Sequence, residues 1–241
     1  MEVMDRFYHQ GLLLRTLADI GTRRLIRRVR YDLRQRLDRK LPDQLAAAWA
    51  GCNAPVPQWL PVLKDLAWDG FKPIPGPVQA SPSIRFCFLN QERDLPWPIH
   101  WNDSSWPRLW QFHLHYFDWA RDWFDQAFIS GQWPAEAWHI EPLIDQWVAA
   151  NPTGQGDGWH SYTLSLRTRN WIWLFRCCPA LSTQERLQSL WQQLCWLQAH
   201  PEHCHGGNHW LENLTALALG GLQFSGPKAK TMHRRALMQL Q

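Results

Sequence analysis

The sequence predicts an all-α protein, and three observations predict it. Apolar residues make up 45% and charged residues 19% of the 241-residue chain, the balance of a chain that buries a core. From residue 107 onward the apolar residues recur at the three- and four-residue spacing of helix faces, in runs too long for strands. Short breaker clusters separate these runs: Gly131 with Pro134, Asn151-Pro152, Pro179, Pro201 and Gly226-Pro227. Short loops between helices of similar length imply antiparallel pairs. Periodicity leaves open whether such pairs form a bundle, a solenoid or a closed ring, and no exact internal repeat is present.

Residues 1–50 form the first segment, a basic amphipathic helical arm. Arg15, Arg23, Arg24, Arg27, Arg28, Arg30, Arg34, Arg36, Arg39 and Lys40 stand against Asp19, Asp32 and Asp38. Leu25, Val29, Leu33, Leu37 and Leu41 recur every fourth residue, the spacing of one helix face. A solvated helix docking this stripe on the body is the expectation. A membrane-surface or nucleic-acid arm is the alternative, because a basic amphipathic helix reads either way.

Residues 51–106 are a Pro- and Trp-rich extended segment, whose prolines forbid long helices. Ile84 to Leu89 reads as a short strand, with Asn90 opening a turn. Trp97, Trp101 and Trp106 suggest that this wrap packs down firmly.

Residues 107–241 are serial helices. Pro107 suits a first-turn position ahead of a helix carrying Leu109, Trp110, Phe112, Leu114, Phe117, Trp119 and Phe124, apolar on most sides. A second helix spans residues 135–150, and a third runs from about Tyr162 to Cys178. Ser182-Thr183-Gln184-Glu185 reads as a capping box with Ser182 as the cap. It opens a fourth helix whose buried face carries Leu187, Leu190, Trp191, Leu194 and Leu197. A fifth begins near Asn208, and a sixth begins near Lys228 and still runs at Gln241.

Charge and thiols narrow the function. The net charge is only +4, much of it near the N-terminus, so it is compatible with an acidic substrate without requiring one, and nucleic acid is not expected. Eighteen tryptophans supply flat apolar faces that suit both helix packing and the C–H faces of sugar rings. Cys52, Cys87, Cys177, Cys178, Cys195 and Cys204 fit neither a disulfide framework nor paired zinc knuckles, and free thiols are the simpler account. No run approaches the ~18 apolar residues of a membrane span. No signal peptide is visible, so as it stands the chain is expected in the cytoplasm, unless its true start lies upstream.

Polar groups interrupt apolar helices in three places: Phe112 to Trp119, Gly158 to Trp171, and Gly206 to Leu214. Asn208 follows two glycines and precedes a helical run, so it reads either as an N-cap or as a ligand-facing amide. Arg167 carries a bidentate fork that suits a substrate carboxylate or a structural pair with an acid on a neighbouring helix. His209, Trp159, His160 and Tyr162 are candidates to line a binding groove, each with the alternative of a satisfied core or rim residue. His200, His203, Cys204, His205 and His209 gather around one turn. Zinc or calcium is the alternative this turn leaves open, but the consecutive spacing lacks a repeated ligand pair, and no cofactor is expected.

These blocks together resemble the N-terminal domain of the heparinase II/III-like polysaccharide lyases, relatives of the alginate lyases. The matching residues are Leu114 to Asp118, then Asn151-Pro152, then Trp159 with Ser165-Leu166-Arg167 and Asn170-Trp171. Gly207-Asn208-His209 with Leu211-Glu212-Asn213 completes the series. Four blocks in order span roughly residues 84–241. The resemblance implies an incomplete (α/α) toroid of antiparallel helix pairs followed by a β-sandwich, with β-elimination on a uronic-acid-containing polysaccharide. It implies that Asn208 helps neutralise the substrate carboxylate while a tyrosine and a histidine move protons.

The family's tyrosine loop and β-sandwich would fall beyond Gln241. The chain is therefore expected to be truncated and inactive alone, and to associate with itself or with a partner chain that completes the fold. Relatives of this type are often exported, which leaves the compartment open. A non-catalytic carbohydrate-binding helical domain and a basic-arm interaction protein are the alternative functions.

Overall fold

The computed structural model describes residues 22–38, 40, 48, 51, 55–61, 83–132, 137–203 and 207–241. Helix α1 is Thr22–Asp38, followed by a hairpin of β1 (Ser83–Phe88) and β2 (Gln91–Pro96). Seven further helices follow: α2 Arg108–Tyr116, α3 Asp118–Ser130, α4 Ile140–Ala150, α5 Ser161–Cys177, α6 Gln184–Ala199, α7 Gly207–Gln223 and α8 Gly226–Leu240. Short 3-10 turns at Ala137–His139, Asp157–Trp159 and Pro179–Leu181 precede α4, α5 and α6. Among the described residues the chain is thus mostly α, with one small two-stranded sheet.

The strand expected at Ile84 to Leu89 is β1. Its partner was not legible, because Gln91-Glu92-Arg93-Asp94 lacks β-branched and aromatic residues. Register pairs Ile84 with Leu95 and Phe86 with Arg93 around the turn Leu89-Asn90, both residues at positive φ. Such a two-residue turn matches strand twist. Arg85 and Asp94, opposite each other, form a bidentate pair at 2.8 and 2.9 Å. Ile84, Phe86 and Phe88 face inward, and the Phe86 ring meets Trp119 edge-on.

The long helix read across Leu109 to Phe124 is two helices, broken at Phe117, whose φ is 61°. A left-handed non-glycine residue costs roughly 1–2 kcal/mol. Full burial of a phenylalanine ring contributes roughly 1.5–3 kcal/mol, and Phe117 is fully buried, stacked on Trp101 and edge-on to Trp171. Packing wins over the local penalty. The break leaves carbonyls at the end of α2 without helical partners. Trp119 Nε1 donates to Leu114 O at 3.1 Å, Arg167 Nη1 to His115 O at 3.2 Å, and Asn170 Nδ2 to Tyr116 O at 2.9 Å.

Helix α5 is the centre of the core. It packs against α2, α3, α6 and α7, while α7 packs in turn against α8. Trp101, Trp110, Trp147, Trp171 and Trp191 are fully buried, so much of the tryptophan content serves packing. Gly221 allows the closest approach of α7 and α8: a Cβ there would lie 2.6 Å from His233 N and 2.7 Å from Ala229 O. Arg186 on α6 clamps α4 through Asp145, at 2.7 Å twice, and Glu141 at 2.9 Å. The cap of α6 is Thr183 rather than Ser182. Its hydroxyl accepts from Arg186 N, while Ser182 Oγ donates to Pro179 O.

The leucine stripe of α1 does not dock as expected. Val29, Leu33 and Leu37 are exposed, together with Ile26. The side chain of Leu25 and all of Leu41 lie outside the described residues. Of the wrap, Trp101 is buried and Trp97 is exposed. Trp59 bridges to Phe224, with Ser225 N donating to Gln58 O at 2.8 Å, and so fixes residues 55–61 on the α7–α8 turn.

Candidate active site

The first turns of α5 and α7, the loop before α7 and the end of α2 meet in one cluster. Glu202, in the loop after α6, is fully buried. Its Oε1 lies 3.3 Å from His209 Nδ1 and 3.7 Å from His160 Nε2. The His209 ring stacks on Tyr162, with centroids 4.2 Å apart and planes at 26°. Tyr116 meets Tyr162 edge-on at 6.0 Å and His113 at 5.0 Å. Two histidines, two tyrosines and a carboxylate are therefore in contact range of one another. His209 and His160 side chains are 41% and 23% exposed while Glu202 is at 0%, so the cluster grades from solvent to sealed interior.

The motif residues around it act as stitches. Asn213 is fully buried. Its Oδ1 accepts from Glu202 N at 2.7 Å, and its Nδ2 donates to Ser165 Oγ at 2.9 Å. That one amide ties the Glu202 loop to α5. Ser161 Oγ donates to His200 O at 2.5 Å, holding the same loop to the start of α5. Asn170, by bonding Tyr116 O, sets the end of α2 where the Tyr116 ring reaches Tyr162. Arg169 and Glu212 form an ion pair beside Tyr162.

Burial sets the protonation of the ring groups. It pushes the His160 imidazole below its ordinary value, against an opposing pull from Glu202. It raises the Tyr162 hydroxyl, as does the Glu212 charge, while Arg169 opposes them. Tyr116 is raised further, by burial and then by Tyr162, Asp118 and Glu202. Both phenols are thus proton donors at neutral pH, and His160 is neutral. The Glu202 carboxyl group beside Nδ1 orients the His209 ring.

Asn208 is exposed in the first turn of α7, one residue before His209, and the helix starts at Gly207. It is therefore not the residue before the helix, as the N-cap alternative required. His160, Tyr162 and His209, which the sequence offered as groove-lining candidates, lie together around Glu202.

Arg167 and Trp159 do not join them. Arg167 is fully buried over the Trp147 ring, 3.7 Å from its centroid, with Nε donating to Gln193 Oε1 at 2.8 Å. Its guanidinium faces the core, where no carboxylate of a polymer can reach it. Its partners are an amide and a carbonyl, not the acid that a structural pair was expected to use. Trp159 is 4% exposed, packs on Trp147 and Trp196, and donates to Asn151 O at 3.0 Å. It is a core residue, because its indole N–H finds a carbonyl only inside.

The histidine-rich turn divides. His200 is buried on Trp196, its Nδ1 bonded to Trp196 O at 2.9 Å, and His203 packs on Trp210. Cys204 and His205 lie outside the described residues. Among the described residues no group of three or more His, Cys, Asp or Glu side chains is disposed to hold a metal. Cys87, Cys177, Cys178 and Cys195 are free thiols. Among the described residues no helix is long and apolar enough to cross a membrane.

Glu202 carried no local signal in the sequence: it follows Pro201, and only the fold of α7 back onto α5 buries it. Tyr116 lies in the Phe112 to Trp119 segment that the sequence singled out, but it was not among the site residues named there.

Compared with known proteins, the chain matches no family model, no curated protein and no solved structure.

Proposed function

We propose that this chain is the helical part of a polysaccharide lyase-like protein, with β-elimination on a uronic-acid-containing polymer as the chemistry of its cluster. The observation that carries this reading is the His209–Glu202–Tyr162 arrangement: a histidine oriented by a buried carboxylate and stacked on a protonated phenol. β-Elimination needs a base for the C5 proton, an acid for the departing O4 oxygen and a group that neutralises the C6 carboxylate. His209 Nε2 takes the proton, breaking the C5–H bond. The electron pair forms the C4–C5 double bond, and the C4–O4 bond breaks as the Tyr162 hydroxyl protonates O4. Asn208, in the first turn of α7, faces the carboxylate. Helix α5 packs on both α6 and α7, and α7 on α8, which is compatible with part of an (α/α) toroid, the architecture this reading implies.

Incubation with polyuronates and with uronate-containing glycosaminoglycans, followed by the ultraviolet absorbance of the unsaturated product, tests the proposal. On this reading Tyr162, stacked on His209, supplies the phenol and the chain acts by itself, contrary to the expectation that it is inactive alone. The expected result is product formation that Asn208→Ala and His209→Ala each lower by at least about 100-fold, in the range for loss of a proton-transfer or charge-stabilising group. Retained polymer binding with no product from the wild-type chain would replace this reading with a carbohydrate-binding domain.

A further inference from the structure

Helix α1 carries two surfaces that point in different directions. At 3.6 residues per turn, Ile26, Val29, Leu33 and Leu37 fall on one narrow stripe. They are exposed at 51%, 57%, 55% and 54%, values too high for a docked helix face. Arg30, Tyr31 and Arg34 lie to one side of the stripe and line a recess against Ala199, His200 and Pro201 at the end of α6. The helix thus rests on the body by a polar face and turns its aliphatic stripe away.

We propose that this stripe seats α1 in the surface of an anionic lipid bilayer, with the helix lying in the interface. The charge of the helix selects the partner. Its 17 residues hold seven arginines against two aspartates, and Asp32 is paired with Arg28 at 3.0 Å. A second copy of the chain would bring a second set of seven arginines against the first. A nucleic acid or a sugar polymer offers the charge but nothing for four aliphatic side chains to enter. An anionic lipid surface supplies both, since headgroup phosphates meet the arginines and acyl chains receive the stripe. The inference does not depend on the chemistry of the cluster.

Flotation of the whole chain with vesicles tests it, using phosphatidylcholine alone and phosphatidylcholine mixed with phosphatidylglycerol. The chain should float with the mixed vesicles and not with the neutral ones, and high salt should weaken the binding about tenfold. Val29→Ser/Leu33→Ser should weaken it by about tenfold or more. The control Ile129→Ser, at the exposed end of α3, should float as the wild type does. None of the four stripe residues belongs to the core formed by the described residues, so circular dichroism should report the same helix content for all three. Binding to mixed vesicles that Val29→Ser/Leu33→Ser retains in full would reduce the contact to charge alone and overturn the insertion. Absence of flotation would overturn the proposal outright, and a fall in mass for the double variant by light scattering would then assign the stripe to self-association.

Discussion

Lowering the pH from 7 to 5 should weaken the fold through His115. This imidazole sits at 0% exposure on α2, with Nδ1 accepting from Trp147 Nε1 at 2.9 Å. Burial, aided by the Arg167 charge, pushes its pKa from the ordinary 6.5 down to about 3. The unfolded chain therefore binds a proton below about pH 6.5 that the folded chain refuses until about pH 3, so stability falls as pH falls across that window. At pH 7 the two states differ little. At pH 5 the unfolded imidazole is almost fully charged and the folded one is not, which destabilises the fold by about 2 kcal/mol. Urea unfolding followed by tryptophan fluorescence at both pH values reads the loss. Other groups titrate in the same range, so the comparison is with His115→Gln, which keeps a polar group at the site but does not ionise. The pH 7-to-5 loss in the variant should be smaller than in the wild type by about 2 kcal/mol. Equal losses in both proteins would refute the reasoning, because they would mean that His115 titrates as if exposed.

Arg167→Leu should destabilise the chain by about 3 kcal/mol in urea unfolding, since it strands the Gln193 amide and the His115 carbonyl in the core. Arg167→Lys should not restore the loss, because an ammonium cannot span both acceptors while lying over Trp147. Gly221→Ala should lower the thermal midpoint, at a cost of about 1–3 kcal/mol, as the added methyl group meets the backbone of α8. Asn213→Ala should release the Glu202 loop from α5, with faster amide exchange at residue 202 and a stability loss of about 1–3 kcal/mol.

The helical body was legible because its signals are local. Proline and glycine mark the loops, and the apolar spacing marks the faces, so α4 to α8 fall within a few residues of where the sequence puts them. What was not legible depends on contacts across the chain. The break at Phe117 exists because Trp101 and Trp171 receive its ring, and nothing in Tyr116-Phe117-Asp118 announces it. The β2 strand exists because β1 pairs with it. For the site, residue type pointed to His160, Tyr162, Asn208 and His209, which do lie at the first turns of α5 and α7. It pointed equally to Arg167 and Trp159, which share α5 or its lead-in but face the core. A helix places residues three and four apart on one side, and which side faces solvent is decided by the neighbouring helices. Glu202 shows the converse, a charged loop residue that only tertiary packing turns into a buried partner for two histidines.

Proton exchange at C5 of a uronate is the most direct test of the cluster's chemistry, because it reads the base step before any bond to O4 breaks. A uronate oligomer incubated with the chain in heavy water should gain deuterium at C5. The gain should vanish with His209→Ala and fall by at least about tenfold with Glu202→Gln, which weakens the partner that orients the histidine. Deuterium uptake that persists unchanged in His209→Ala would contradict the assignment of that residue as the base.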